Sequence, residues 1–187
     1  MEANDSQQLL ERLASLLRSE SRKLLFEFGL QPVHFEALHY LSICNQYSDT
    51  PMAVTEYLGQ TKGSVSQTLK VLEKKRLLDK TTDVSDKRVT HMAITKKGRK
   101  LIDKVLPSPA LDMAGGQLTQ SELVKINNAL RTLLNSMQRA NGRKSFGQCS
   151  GCRYNIKNGV NDFLCGLTEE PLSTADTLLI CREHELG

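Results

Sequence analysis

The stretch over residues 50–98 limits the fold more than any other part of the chain, because it sets two helix starts and a hairpin in direct succession. Thr50 can cap a helix whose first position is Pro51, where a missing N–H leaves no bond unmade. Met52, Val54 and the Tyr57–Leu58 pair give that short helix an apolar side, and Gly59 breaks it. Thr61 can cap a second helix running to about Arg76. In it Val65, Leu69 and Leu72 recur at i, i+4 and i+7 as one buried stripe, while Lys62, Ser64, Ser66, Gln67, Thr68 and Lys70 fall on the other side. Two short helices on a tight turn, the second with a hydrogen-bonding outer face, make a helix-turn-helix.

A small hairpin follows. Leu77–Leu78 starts one strand, and residues 89–94 make the return strand with apolar side chains at Met92 and Ile94. The tip, residues 83–88, is turn-prone and ends in Lys87 and Arg88. A basic hairpin directly after a recognition helix is a wing, and its arginine suits a narrow minor groove, where negative potential is concentrated. Asp86 and Arg88, followed by Ile94–Thr95 and Gly98, resemble the wing signature of the MarR family of bacterial transcription regulators, with Ile94 where Leu is commoner. The resemblance covers the winged helix and, more loosely, residues 5–139. It implies a mainly α fold with a small β wing, and a homodimer built from N- and C-terminal helices.

Charge supports a nucleic-acid surface. Residues 51–104 hold 13 Lys/Arg against 6 Asp/Glu, a net of +7, and the remainder of the chain is net −3. A basic segment in an otherwise slightly acidic chain is an electrostatic footprint for DNA, the more so where it coincides with a helix-turn-helix and a wing. No run approaches the 18 or more apolar residues of a membrane span, and the first residues, M-E-A-N-D-S, lack a basic-then-apolar signal. The expectation is a cytoplasmic protein with no membrane partner.

The flanking segments read as helices. Residues 5–28 carry Leu9, Leu10, Leu13, Leu16, Leu17, Leu24 and Leu25 up to Gly29. A second helix, from Pro32 to about Cys44, buries Phe35, Leu38, Leu41 and Ile43 and carries His34 and His39, read as packing or surface residues rather than effector ligands. Cys44 reads as a buried structural thiol, with a sensing thiol as the alternative. Helix resumes from Lys96 to about Leu106, Pro107 and Pro109 permit a break, and Gly115–Gly116 end a further stretch. Thr119 and Glu122 form a capping-box pattern opening a long helix. There Leu123, Ile126, Leu130, Leu133 and Met137 recur at a/d spacing, a seam that suits pairing across a two-fold axis. Two recognition helices would then enter successive major grooves about 34–36 Å apart on a pseudo-palindromic operator.

Roles divide by chemistry. Ser64, Ser66 and Gln67 can reach base edges. Thr61, Lys62 and Lys70 are placed for phosphates. Lys87 and Arg88 occupy the wing tip, with Asp86 positioned to orient Arg88 by a charge-assisted bond.

After residue 140 the sequence changes character, which divides the chain into residues 1–140, with a DNA-binding core at about 32–100, and a cysteine-rich tail over 141–187. Gly142, Arg143 and Lys144 read as a linker. Cys149-x-x-Cys152, Cys165 and Cys181 follow, so four of the five cysteines lie in the last 39 residues. In a cytosolic chain such clustering points to metal or redox chemistry rather than structural disulfides. Gly151 and Gly166 let the backbone wrap closely, and a segment this short and poor in apolar residues would take the metal as its core. Zinc fits the four thiolates, or a set in which His184 replaces one sulfur. An iron–sulfur cluster fits them as well. Zinc sites usually show two tight pairs, whereas Cys165 and Cys181 stand apart, which favours the cluster. The function expected is a sequence-specific DNA-binding repressor modulated by an iron–sulfur cluster. The alternative is a structural zinc with a small-molecule or thiol-oxidation signal. An enzyme is not expected: Cys149-x-x-Cys152 lacks the βαβ context of a dithiol oxidoreductase, and no other catalytic set appears.

Overall fold

Hydroxyl caps set most of the helix starts in this computed structural model, which describes residues 2–140 and 144–186. Of the expected linker, Gly142 and Arg143 lie outside the described residues. Helix α1 spans Glu2–Phe26, and Gly29 leaves it in the left-handed region at φ 58°. Helix α2 spans Pro32–Ile43. Helix α3, Pro51–Leu58, is capped by Thr50, whose Oγ1 accepts from the Ala53 N–H at 3.3 Å, and ends at Gly59 with φ 61°. Helix α4, Lys62–Lys74, is capped by Thr61, which accepts from the Ser64 N–H at 3.2 Å. These are the two helices and the turn expected from the sequence.

The wing pairs β1, Leu78–Thr82, antiparallel with β2, Thr90–Ile94, so that Leu78 faces Ile94 and Thr82 faces Thr90. Helix α5, Lys96–Val105, starts at the Thr95 cap, and Gly98 lies so close to the Leu77 carbonyl that no Cβ fits between them. After the break at the two prolines come α6, Pro109–Gly115, and α7, Gln120–Ala140. Thr119 and Glu122 close the capping box, with the Thr119 N–H donating to Glu122 Oε2 at 2.8 Å and the Glu122 N–H to Thr119 Oγ1 at 3.3 Å.

One core joins α2 to α5. Phe35, Leu38 and Tyr40 of α2 meet Val54 of α3, Val65, Leu69 and Leu72 of α4, Met92 of the wing and Leu101 of α5. Three details differ from the sequence reading. Ile43 is only half-buried, whereas Tyr40 is fully enclosed because its hydroxyl donates to the Ser48 carbonyl at 2.7 Å. Thr68, assigned to the polar side of α4, is buried beside Leu69. On α3 the buried residues are Ala53 and Val54, while Met52 and Tyr57 stay partly exposed.

By contrast α1 and α7 carry their apolar stripes outward. Leu9, Leu13 and Leu16 of α1, and Ile126, Leu130 and Leu133 of α7, are all exposed.

The tail has secondary structure of its own. A 3-10 turn at Cys149–Gly151 leads into a three-stranded antiparallel sheet of β3 (Asn155–Lys157), β4 (Phe163–Cys165) and β5 (Glu170–Leu172), then a short helix α8 at Thr174–Thr177. Its entry residue, Phe146, belongs to the main hydrophobic core.

Candidate nucleic-acid interface and thiolate centre

The outer face of α4 presents Lys62, Ser64, Ser66, Gln67 and Lys70, all exposed, as is Thr61 ahead of the helix. Thr61 and Ser64 are also engaged with each other, their hydroxyls 3.0 Å apart at the cap. Lys62 and Ser66 line one side of a groove of about 200 Å³, with Thr55 on α3 and Lys80 and Met92 on the wing completing it. At the wing tip Arg88 makes the expected two-point bond with Asp86. Its Nε lies 2.9 Å from Oδ1 and its Nη2 2.9 Å from Oδ2, and the Arg88 side chain remains 90 % exposed. Asp83 organises the rest of the tip by accepting from the Ser85 and Asp86 N–H groups, both at 2.7 Å. Lys87 is exposed beside them.

His91 escaped the sequence reading. From β2 its Nδ1 lies 2.6 Å from Asp49 Oδ1, and its Nε2 lies 3.1 Å from Asp83 Oδ2. It ties the wing to the loop that precedes α3. The Asp49 hydrogen bond raises the His91 pKa, with Asp83 adding to it against a desolvation penalty. Asp49 itself is raised, because burial outweighs the help it draws from His91. The 2.6 Å contact favours the charged pair over the neutral one. An acidic residue next to a cap and a histidine on the return strand were the only sequence signals.

His34 and His39 have local structural partners. His34 Nδ1 accepts from the Gln31 N–H at 3.0 Å at the start of α2, and His39 stacks on Phe35. Burial lowers both pKa values, with Lys75 adding to the effect at His34.

In the tail, Cys149, Cys152, Cys165 and Cys181 line one small cavity of about 40 Å³, closed on one side by Asn45 and Tyr47 from the α2–α3 loop. Local folding explains the convergence. The 3-10 turn bonds the Cys152 N–H to the Cys149 carbonyl at 3.0 Å, β4 places Cys165 opposite Asn155, and the Cys181 N–H donates to the Gly147 carbonyl at 3.0 Å. Burial pushes the Cys149 thiol up to about 11, reinforced by the other three sulfurs. Cys165 is lowered: desolvation opposes its ionisation, but hydrogen bonds from the Thr168 side chain and the Thr168 and Leu167 backbone outweigh that. All four are free thiols, and among the described residues no three His, Cys, Asp or Glu side chains form a ready-made metal cage. The chemistry of the donor set, four sulfurs around one void, nonetheless fits a thiophilic metal.

His184 does not line this cavity. Its Nδ1 lies 2.5 Å from Ser145 Oγ, its ring is buried, and it packs so tightly on Gly147 that an added Cβ would come within 2.5 Å of Cε1. Cys44, bridged to Ile180 beside Cys181, does not line the cavity either. Its thiol is pushed up to about 12, chiefly by burial and then by Asp49, which suits the inert role read from the sequence.

The tail grips the winged helix through residues that the sequence reading did not single out. Ile180 bonds at both faces of its peptide to the end of α2, with its N–H donating to the Ile43 carbonyl and its carbonyl accepting from the Asn45 N–H, each at 2.9 Å. The Arg182 N–H donates to Ser48 Oγ at 2.8 Å. Its guanidinium holds Glu56 of α3 at two points, 2.7 and 2.6 Å. The Arg182 bond lowers the Glu56 pKa against a desolvation penalty. Tyr47 donates to Glu170, and Phe146 packs edge-on against Tyr57 and Tyr40.

Helix-turn-helix, wing and exposed basic face define a winged-helix protein. The model of the MarR family matches residues 28–89, the segment that holds the helix-turn-helix and most of the wing. The family's members are transcription regulators, not enzymes. The chain is 24 % identical over 131 residues to the transcriptional repressor MprA of Escherichia coli K12, covering 69 % of this chain and 74 % of that one. It is 27 % identical over 106 residues to the HTH-type transcriptional regulator MhqR of Bacillus subtilis, covering 56 % and 71 %. Among solved structures, Staphylococcus aureus MepR in its DNA-binding conformation is similar at a TM-score of 0.61 and 23 % identity, over 71 % of this chain and 98 % of that one. The regulator Tm0710 of Thermotoga maritima is similar at 0.54 and 26 %, over 75 % and 99 %. Among the described residues no helix is long and apolar enough to cross a membrane.

Proposed function

We propose that this chain is a MarR-type transcription regulator, a repressor that binds a pseudo-palindromic double-stranded DNA operator as a homodimer, with its affinity modulated by a metal centre on Cys149, Cys152, Cys165 and Cys181. The observation that carries the DNA-binding half is the joint exposure of the α4 outer face and of Arg88, the latter held in place by Asp86. A relative named as a repressor and a MepR–DNA complex of the same fold, at a TM-score of 0.56 and 23 % identity over 70 % of this chain and 96 % of that one, support it. The outward leucine stripes of α1 and α7 support the dimer, since such faces in a regulator of this size favour a second copy.

The gathering of four sulfurs around one cavity supports the metal half. The wide spacing of Cys165 and Cys181 favours an iron–sulfur cluster, which would supply a redox-labile charge within reach of the winged helix. Zinc is the second reading, favoured by the cavity's volume of about 40 Å³, the scale of a single ion. On the zinc reading the signal belongs instead to the larger cleft of about 950 Å³ lined by His39, Glu56, Tyr57, Leu134 and Phe146. Protein purified without oxygen distinguishes these by absorption spectrum and metal analysis. Iron with acid-labile sulfide and broad visible absorption supports the cluster. Colourless protein with one zinc per chain supports the second reading, and metal-free protein rejects both.

A further inference from the structure

We infer that Arg182, next to Cys181, couples the thiolate centre directly to the helix-turn-helix of its own chain through Glu56 and Ser48; the inference rests on the metal-centre reading above. Cys181 sits between Ile180 and Arg182, and both neighbours are bonded to the winged helix. Ile180 extends the end of α2 by a two-bond bridge to Ile43 and Asn45. Arg182 reaches the loop at Ser48 through its backbone and α3 at Glu56 through its side chain. Ser48 is wholly buried and is itself fixed, donating to Asn45 Oδ1 at 2.7 Å while its carbonyl accepts from Tyr40. A thiolate bound with Cys149, Cys152 and Cys165 is fixed relative to the tail sheet, so the Ile180–Arg182 segment is fixed with it. Freed from that centre, the segment keeps its backbone bonds to the tail, Cys181 N–H to the Gly147 carbonyl and Cys149 N–H to the Leu179 carbonyl, but loses the tether of the thiolate itself.

The consequence falls on the reading head. Helix α3 packs against α4, and its N-cap Thr50 follows the loop that Ser48 anchors. A single ion pair near the surface contributes little alone. The two-point Arg182–Glu56 geometry, combined with a backbone bond on the same residue, is the arrangement that transmits position rather than mere attraction. Coupling therefore does not require movement of the α7 dimer helix. It runs across the tail–α3 contact within one chain, and its size belongs to the range of ordinary site-to-site coupling, about fivefold or more in affinity.

The test uses full-length protein, metal-loaded and after metal removal, with a duplex selected from a random library by the loaded parent. Metal content is measured first. Hydrogen exchange over residues 43–58 and DNA affinity by fluorescence anisotropy are then compared between the two states. The parent is expected to exchange faster over residues 43–58 and to bind about fivefold more weakly once the metal is gone. Arg182→Ala and Glu56→Gln are each expected to retain the metal and yet to show a much smaller difference between states, the backbone bonds to Ser48, Ile43 and Asn45 being kept, with Arg182→Lys partly restoring it. If Arg182→Ala does not fold, Glu56→Gln carries the comparison. A full response in metal-retaining Glu56→Gln, or a parent whose exchange over residues 43–58 ignores metal loss, overturns the coupling and leaves the centre standing. A parent that holds no metal overturns the centre itself.

Discussion

His91 Nδ1 lies 2.6 Å from Asp49 Oδ1, which joins the return strand of the wing to the residue just before the α3 cap. The bond raises the His91 pKa above its usual 6.5. A raised histidine stabilises the folded wing fully below its unfolded pKa, and that stabilisation is lost as pH rises through the folded value. Wing protection, corrected for intrinsic exchange, is therefore expected to hold at and below pH 6.5 and to fall as pH climbs above it. Asp83, the other partner, is held well below the usual carboxylate range, first by the Ser85 hydroxyl, so its contribution is present above about pH 3.8 and stays constant across that window. The His91→Gln variant is expected to show a flat profile, measured by hydrogen exchange over residues 78–94. A profile for the variant that matches the parent would remove His91 from this role.

Arg88 and Lys70 are expected to differ in kind. Arg88 is pre-oriented by Asp86 at an exposed tip, whereas Lys70 lies on the α4 face as a flexible phosphate partner. Arg88→Ala is predicted to weaken operator binding about tenfold or more, and Lys70→Ala by less, with its salt slope reduced by about one. Asp86→Ala should fall between them, since it leaves the cation but frees the arm. Anisotropy titrations at several salt concentrations decide this, and unchanged binding by Arg88→Ala would refute the wing assignment.

The four cavity-lining thiols should separate cleanly from the other two candidates. Cys149→Ser or Cys181→Ser is expected to lower metal content sharply. Cys44→Ala and His184→Ala should keep it, because neither side chain lines the cavity. His184→Ala should still lower thermal stability, since a buried ring packed on Gly147 is removed. Metal analysis of the purified variants tests the ligand set, and loss of metal in His184→Ala with retention in Cys181→Ser would require the set to be redrawn.

Gly98 offers a test of the wing root. A methyl group there meets the Leu77 carbonyl, a backbone atom that cannot swing aside, at the start of α5. Gly98→Ala is predicted to destabilise the protein by about 1–3 kcal/mol, the usual cost of overpacking. Urea unfolding measures it, and an unchanged midpoint would mean that α5 shifts freely.

Much of the winged helix could be read from residues alone because its determinants are local. Thr50 and Thr61 cap helices within three residues, Gly59 supplies a left-handed turn, and Val65, Leu69 and Leu72 mark one stripe by spacing. Convergence of the four tail cysteines was also anticipated by their clustering. The attachment of the tail was not. Arg182 and Glu56 stand 126 positions apart and carry no shared pattern, so nothing in either neighbourhood announces the pair. Thr68 misled for another reason: it is polar by type yet buried on its helix face, a choice made by tertiary packing rather than by periodicity, and the same packing encloses Tyr40, which no pattern singled out. His184 drew attention through its spacing from Cys181, but tertiary packing turns it toward Ser145.

The most direct measurement of the central claim is operator affinity of one protein preparation before and after removal of its metal, at matched salt and with metal content determined on the same samples. A metal-loaded protein that binds a selected duplex tightly, and weakens about fivefold or more on metal loss while remaining folded, is the predicted result. Equal affinity in the two states would contradict regulation through the thiolate centre.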